Sequence, residues 1–401
     1  MGSTPSASTT DPTQLSRRTL FGCGLALLSV PALGHAGSGR PNLRSLDALV
    51  AGEMRKARIP GLALGVARDG AVQLVRGYGF ADIARRRAVT PDTMFHIASV
   101  TKTVTATAIM QLAEVGRLRL DEPVGPLLDF PLINPHHPQT PITFRHLLLH
   151  VSSISDARYY EVDFRVRGHD AAMPLAEFLR AYLAPGGRTY SAEGCFAPTA
   201  PGTTWDYSNV GYGLLGYLAS RIGGKDLREQ SLRQIFAPLG MHHTSWTIKG
   251  TPEHLRATPY DVVDDALVPV EAVGFPDWPA GMLRSSVSDF TRFVAASANH
   301  GVAGGSRVIG EKALAQMLHM ETPAGLPNWL TGQGLGWASS RLNGRECPNH
   351  WGGDPGVFTA VYLDPERGSG VAVFTNVTST AESKTAVKGI ASRLLDEFAR
   401  T

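Results

Sequence analysis

The chain has 401 residues, of which 43% are hydrophobic and 18% charged, and a formal net charge of +3. That composition excludes a disordered polypeptide and fits a globular protein large enough to bury a core without disulfide staples. The small positive balance, with no basic run interleaved with aromatics, excludes a nucleic-acid footprint and points to a small-molecule partner.

In chain order, the first informative segment is Ser16-Arg17-Arg18-Thr19-Leu20-Phe21, followed by a short apolar run to Leu33 and then Gly34-His35-Ala36. Paired arginines, a short apolar stretch and small residues at a cleavage position describe a twin-arginine-type export signal over residues 1–36. The expected consequences are handling of the precursor by the twin-arginine export machinery and a periplasmic or secreted mature protein. The apolar run is too short to span a bilayer, and no later stretch approaches the ~20 apolar residues a spanning helix needs. Cys23 opens that run rather than following it, which argues against lipid attachment there. The remaining Cys195 and Cys347 either form a disulfide, which an exported protein permits, or stay as two buried thiols.

Gly61 to Tyr78 reads as two alternating apolar runs around Asp69-Gly70, a strong hairpin signal. Helical periodicity follows at Thr101–Val115, Pro174–Leu183, Val210–Arg221 and Ser288–Asn299, between loops rich in proline and glycine. Strands return near Trp337–Leu342 and Cys347, then at Val357–Leu363 and Gly370–Asn376, before a closing helix over Glu382–Arg400. The expected fold class is α/β of the α+β type, with an antiparallel sheet built from both chain ends and flanked by helices. Residues 37–401 then form one catalytic domain, with a sheet part at 37–92 and 331–401 and a mostly helical part inserted at 93–330. A cleft belongs where the two parts meet.

Three segments could carry chemistry. Ser99 precedes a helical run and is followed three residues later by Lys102, close enough for the amine to reach the serine hydroxyl. A desolvated lysine there could take the serine proton, which an alcohol nucleophile requires, although a helix-capping serine beside a solvated lysine has the same spacing. Tyr207 and Asn209 stand two apart in Trp205-Asp206-Tyr207-Ser208-Asn209, a loop before a helix, and could supply a phenol for proton transfer and an amide to orient it. Packing and capping are the plainer roles for that pair. Asn349 to Gly356, NHWGGDPG, lies ahead of a strand and offers glycines that let a substrate approach backbone N–H groups, or that simply turn the chain.

Taken together, in this order and at these separations, the segments resemble the penicillin-recognising serine enzymes: class C β-lactamases, D-alanyl-D-alanine carboxypeptidases, D-aminopeptidases and β-lactamase-like esterases. HLLLHVSSI at His146–Ile154, YSNVGYGLLGYL at Tyr207–Leu218, FAPLGM at Phe236–Met241 and PAGMLRSSVSDFTRF at Pro279–Phe293 are also similar to that family. The resemblance implies a β-lactamase-like fold and a serine hydrolase that needs no cofactor or metal. It makes Ser99 the acyl-enzyme nucleophile, with Lys102 and Tyr207 sharing the proton work and the choice of base left open. Asn209 would hold Lys102 and touch the acyl side chain; His350, Trp351 and Gly352 would line the substrate site. The backbone N–H groups of Ser99 and Gly353 would form the oxyanion hole.

One departure bears on substrate. Where β-lactamases and carboxypeptidases of the family carry Thr or Ser, this chain has Trp351, which lacks the hydroxyl that meets a substrate carboxylate and narrows the site. His350 would help with a carboxylate only when protonated. The expected substrate is therefore a neutral ester or amide, esters favoured. Alternatives are a D-amino-acid peptidase or D-alanyl-D-alanine carboxypeptidase, a class C-like β-lactamase, an acyltransferase or a non-hydrolytic acyl-binding relative. No G-x-S-x-G elbow, H-E-x-x-H helix or P-loop is present, and the pairs His136-His137 and His242-His243 read as solvated loop residues.

Overall fold

Asp69 and Gly70 take φ values of 51° and 73°, the left-handed pair that a tight two-residue hairpin turn needs. They join β1 (Gly61–Arg68) to β2 (Ala71–Asp82), which is followed by the short β3 (Arg87–Ala88). The computed structural model describes residues 43–399, so the export signal read at residues 1–36 lies outside the described residues. From the other end of the chain come β4 (Gly332–Gln333), β5 (Ala338–Leu342), β6 (Arg345–Asp354), β7 (Val357–Asp364) and β8 (Ser369–Thr375). All pair antiparallel in one sheet of order β4-β5-β6-β7-β8-β1-β2-β3, which zips the two chain ends together where β1 meets β8.

Alternation sorts the strand residues onto two faces. Leu62, Leu64, Val66, Val371 and Val373 pack outward against α1 (Leu43–Lys56) and the closing helix over Ala381–Ala399. Ala63, Ala67, Val361, Ala372 and Phe374 face inward to the larger core shared with the helical part. That part contains α2 (Thr101–Glu114), α3 (Asn209–Gly223) and α4 (Val287–Ala298); the closing helix is α5. Helix α4 lies directly on the sheet because Gly65 has no side chain there: a Cβ would stand 1.8 Å from Thr291 Oγ1. The mixed architecture, a large antiparallel sheet flanked by helices, is the one expected from the sequence.

One expectation changes. Asn349–Gly356 lies ahead of a strand, β7, as expected, but it is not a turn: β6 itself runs to Asp354, and Pro355-Gly356 alone connects the two strands. Its glycines mark a strand approached closely by other backbone, a role that turn-like composition conceals. Of the two alternatives for Cys195 and Cys347, the structure has the buried thiols: both are free, Cys195 in the inner core and Cys347 in the outer one. Among the described residues, no helix is long and apolar enough to cross a membrane, and no group of three or more His, Cys, Asp or Glu could hold a metal ion.

Candidate active site

Ser99 sits in a 3-10 turn, Ala98–Val100, that runs straight into α2. The capping role does not hold, because no side chain caps either helix start. The hydroxyl instead accepts a hydrogen bond from Lys102 Nζ at 3.1 Å. Ala98, just before it, has φ 45°, a left-handed conformation that costs an alanine about 1 kcal/mol. Tertiary contacts hold the turn in place. Ile97 N–H donates to the Leu283 carbonyl at 3.0 Å, and Thr359 Oγ1 of β7 donates to the Ile97 carbonyl at 2.8 Å. A Cβ on Gly352 would lie 2.3 Å from Ile97 O and 3.0 Å from Ser99 N, so only glycine lets β6 meet this turn backbone to backbone.

Lys102 is fully buried. Besides Ser99, its amine donates to Asn209 Oδ1 at 2.7 Å and to the Ala280 carbonyl at 2.7 Å, and it stands 4.7 Å from the Tyr207 ring centroid. Burial lowers its pKa to about 7, against the opposing pull of Asp156, Asp277 and Asp354. A neutral amine has two N–H groups and one lone pair. Asn209 and Ala280, both acceptors, engage the two N–H groups and leave the lone pair facing the Ser99 hydroxyl.

Tyr207 and Asn209 are delivered by the start of α3. Ser208, not Asn209, is the N-cap: its Oγ accepts from Gly211 N–H at 2.9 Å and donates to Asp156 Oδ1 at 3.0 Å. The Asp156 carboxylate also accepts from Asn209 N–H at 2.6 Å and Val210 N–H at 3.2 Å, a buried anion on a helix N-terminus. Burial nevertheless raises its pKa to about 6. Asn209 Nδ2 donates to Tyr160 Oη at 3.1 Å, which turns its carbonyl oxygen toward Lys102. The Tyr207 ring stacks on His150 at 4.4 Å, and His150 Nδ1 accepts from Ser208 N–H at 3.1 Å. Burial pushes the Tyr207 phenol well above its ordinary value, with the neighbouring Ser99 hydroxyl acting the other way.

The pairing of β5 with β6 ends at Ala338 and Asn349, so His350 to Asp354 present an open sheet edge. Two pockets meet at Ser99 and Tyr207. One, about 340 Å³, is lined by Asn209, Tyr160, Asp277, Gly353 and Asp354; the other, about 320 Å³, by His150, Trp205, Trp329, His350 and Trp351. A larger hollow of about 720 Å³ around His300, Arg345 and Arg367 does not touch Ser99. Trp351 stacks on Trp329 with ring centroids 5.2 Å apart and planes 16° from parallel, giving the second pocket an apolar wall. His350 corrects the expectation of a titratable cation: burial lowers its pKa to about 3, so it is neutral at ordinary pH.

The fold therefore brings Ser99, Lys102, Tyr207 and Asn209 into one cluster, with Gly353, His350 and Trp351 on the pocket walls and Gly352 beneath the nucleophile's turn. Sequence reasoning gave no individual role to His150, Asp156, Tyr160, Asp277, Ala280 or Trp329. Asp156, Tyr160 and Asp277 fall in Asp156–Ala200 and Tyr260–Pro279, the loops the sequence reading expects to wall the cleft, and His150 and Ala280 fall inside stretches already singled out, but nothing in a lone tryptophan signals the place of Trp329.

A model of the beta-lactamase family matches residues 46–393. Penicillin-binding protein 4 of Amycolatopsis lactamdurans is 30% identical over 339 residues, covering 79% of this chain and 81% of that protein. Protein flp of Staphylococcus aureus is 25% identical over 84% of this chain, which spans only 63% of flp's own length. Among solved structures, D-amino acid amidase from Ochrobactrum anthropi SV3, complexed with L-phenylalanine, superposes with a TM-score of 0.69 at 25% identity, covering 88% of this chain and 98% of that one. With its serine, lysine and tyrosine assembled beside the open edge of this sheet and the family model matching most of its length, the chain belongs to the beta-lactamase family.

Proposed function

We propose that this protein is a serine hydrolase that opens a neutral carboxylic ester or amide through a covalent acyl-enzyme on Ser99, with esters favoured. The observation that carries the reading is the Lys102 amine: desolvated, held by two acceptors, and 3.1 Å from Ser99 Oγ. As its neutral form takes the Ser99 proton, Oγ bonds to the substrate carbonyl carbon and the carbonyl π pair moves onto oxygen. The Ser99 and Gly353 N–H groups are the donors proposed for that oxyanion, aided by the turn that opens α2. Collapse re-forms the carbonyl and expels the leaving group, which takes the proton by way of Lys102 or the adjacent Tyr207 phenol. Water, giving its proton back along the same path, then attacks the acyl-enzyme and releases the acid and a restored Ser99.

With the carbonyl oxygen so held, the two substituents of that carbon fall one into each pocket. Asn209, proposed to touch the acyl side chain, lines the pocket with Asp277 and Asp354, so the acyl group goes there and the leaving group goes to the tryptophan pocket. That wall, with a neutral His350 beside it, offers a leaving-group carboxylate no cation, which sets this site apart from one built for β-lactams or terminal D-alanine.

The test is a panel of short-chain p-nitrophenyl esters and D-amino-acid amides, with nitrocefin for comparison. Ser99→Ala should lose at least about 10³-fold in kcat, the scale of removing a covalent nucleophile, and nitrocefin should turn over poorly. Hydrolysis undiminished in Ser99→Ala, or nitrocefin turnover surpassing that of every ester, would overturn the reading.

A further inference from the structure

We infer that the leaving half of the substrate carries a primary carboxamide, held in the tryptophan pocket between the ring nitrogens of His150 and His350. The inference rests on the acyl-enzyme reading above and narrows the leaving group of that neutral substrate.

His150 and His350 both line the pocket that opens beside Ser99, and both residues are more than nine-tenths buried. Each spends one nitrogen on holding its own ring. His150 Nδ1 accepts from Ser208 N–H at 3.1 Å, so that nitrogen is bare and the proton of the neutral ring sits on Nε2. His350 shows the opposite tautomer. Its Nδ1 stands 2.9 Å from the Trp351 carbonyl oxygen, which can only accept, so Nδ1 carries the proton and Nε2 is bare. Burial lowers both pKa values, that of His350 to about 3, and neither ring takes a second proton at ordinary pH. Neither Nε2 has a hydrogen-bond partner among the described residues, yet neither is sealed in the interior, and the pocket is where both residues come to the surface. An occupant therefore meets one N–H and one lone pair, on two uncharged rings.

The amide and indole donors nearest to them are spent. Trp205 Nε1 donates to Gln333 Oε1 at 2.9 Å, Gln333 Nε2 to the Gly334 and Trp337 carbonyls at 2.9 and 3.1 Å, and Asn349 Nδ2 to Ser340 Oγ and the Cys347 carbonyl at 2.9 and 2.8 Å. A polar nitrogen kept in so dry a wall is costly until a ligand completes its bonding, and the kind of ligand follows from the pair. A carboxylate brings acceptors only, and sets an oxygen against the bare nitrogen of His350. An ammonium brings donors only, and leaves the His150 N–H unmet. A primary carboxamide keeps the shape of the carboxylate and divides the roles: its carbonyl accepts from His150 while its N–H donates to His350. It is also flat, as suits a wall made of the stacked Trp329 and Trp351 rings, and it spreads the two contacts over two atoms where a hydroxyl would have to meet both rings with one.

The experiment measures kcat/KM for the acetyl esters of 3-hydroxybenzamide, 3-hydroxyacetophenone and 3-hydroxybenzoate, with phenyl acetate as the reference. The methyl ketone has the amide's shape and its acceptor but no N–H. The wild type should favour the amide over the ketone about tenfold, the scale of one buried hydrogen bond, and should favour the ketone over the carboxylate. His350→Phe should bring amide and ketone level. His150→Phe, which keeps a ring against Tyr207, should slow both relative to phenyl acetate and leave the ratio between them at its wild-type value, a split that general loosening of the site would not produce. A further measurement needs no variant: benzamide should inhibit wild-type hydrolysis of p-nitrophenyl propionate at concentrations about tenfold below those of acetophenone or benzoate. Equal rates for the amide and ketone esters in the wild type, a faster carboxylate, or stronger inhibition by benzyl alcohol than by benzamide overturns the carboxamide, while Ser99-dependent hydrolysis leaves the parent reading standing. Hydrolysis that survives Ser99→Ala overturns both.

Discussion

Lys102 shows how a side chain is given a task by what surrounds it. A solvated lysine is protonated at neutral pH, whereas full burial brings this one to about 7. The direction of the pH dependence follows. Below about 7 the amine carries its proton and cannot accept that of Ser99; above it, the lone pair is free. If Lys102 is the base, kcat/KM for a neutral p-nitrophenyl ester should climb about tenfold per pH unit up to about 7 and then level off. Were the Tyr207 phenolate the base instead, its raised pKa would delay the climb far into the alkaline range. A profile flat from pH 5 to 9 would rule out Lys102. At this scale the sequence was most legible, since Ser99, Lys102, Tyr207 and Asn209 carry short-range patterns and converge on one nitrogen. Asp277 was legible only as part of a loop expected to wall the cleft, because its partner, Tyr159, lies 118 residues away in sequence.

Helix α3 is the element on which that convergence depends. Its N-terminus carries Tyr207, Ser208 and Asn209, and a single carboxylate from another segment, Asp156, binds Ser208, Asn209 and Val210 together. Asp156→Ala should destabilise the fold by about 2–4 kcal/mol in urea denaturation, through the lost capping bonds and buried donors left without a partner. The folded fraction should also lose more than tenfold in kcat, as Asn209 is no longer aimed at Lys102. Wild-type turnover in that variant would show that α3 holds its start without the carboxylate. Periodicity located α3 and its neighbours well, because each buries an apolar face that repeats along the sequence. It failed for β6, where NHWGGDPG has the composition of a turn. There glycine serves the close approach to Ile97 and Ser99, a contact between residues more than 250 positions apart.

For the whole molecule, the same buried groups set the response to acid. His96 and His350 have pKa values lowered to about 3, and His150 lies well below 6.5. Their stabilising contribution is complete above about pH 6.5 and is lost as pH falls, for His96 and His350 down to about 3 at about 1.4 kcal/mol per pH unit each. Asp156, Asp277 and Asp354 have pKa values raised to about 6, 7 and 6, so the native state holds protons that the unfolded chain releases down to its ordinary value of 3.8. Those three stabilise the fold as pH falls through 7 to 4, against the histidines. Unfolding free energies from urea titrations should therefore change little from pH 6.5 to 4 and then fall steeply below that. A steady decline beginning at pH 6.5 would mean that the aspartates do not retain their protons.

The left-handed alanine at position 98 has a consequence for how such a protein can be changed. Glycine there would relax the backbone, so selection for heat tolerance alone would favour it, yet the residue that gains freedom adjoins the nucleophile. Heat tolerance and turnover are thus coupled at one codon, and variants of this chain evolved for endurance should be screened for rate at the same time.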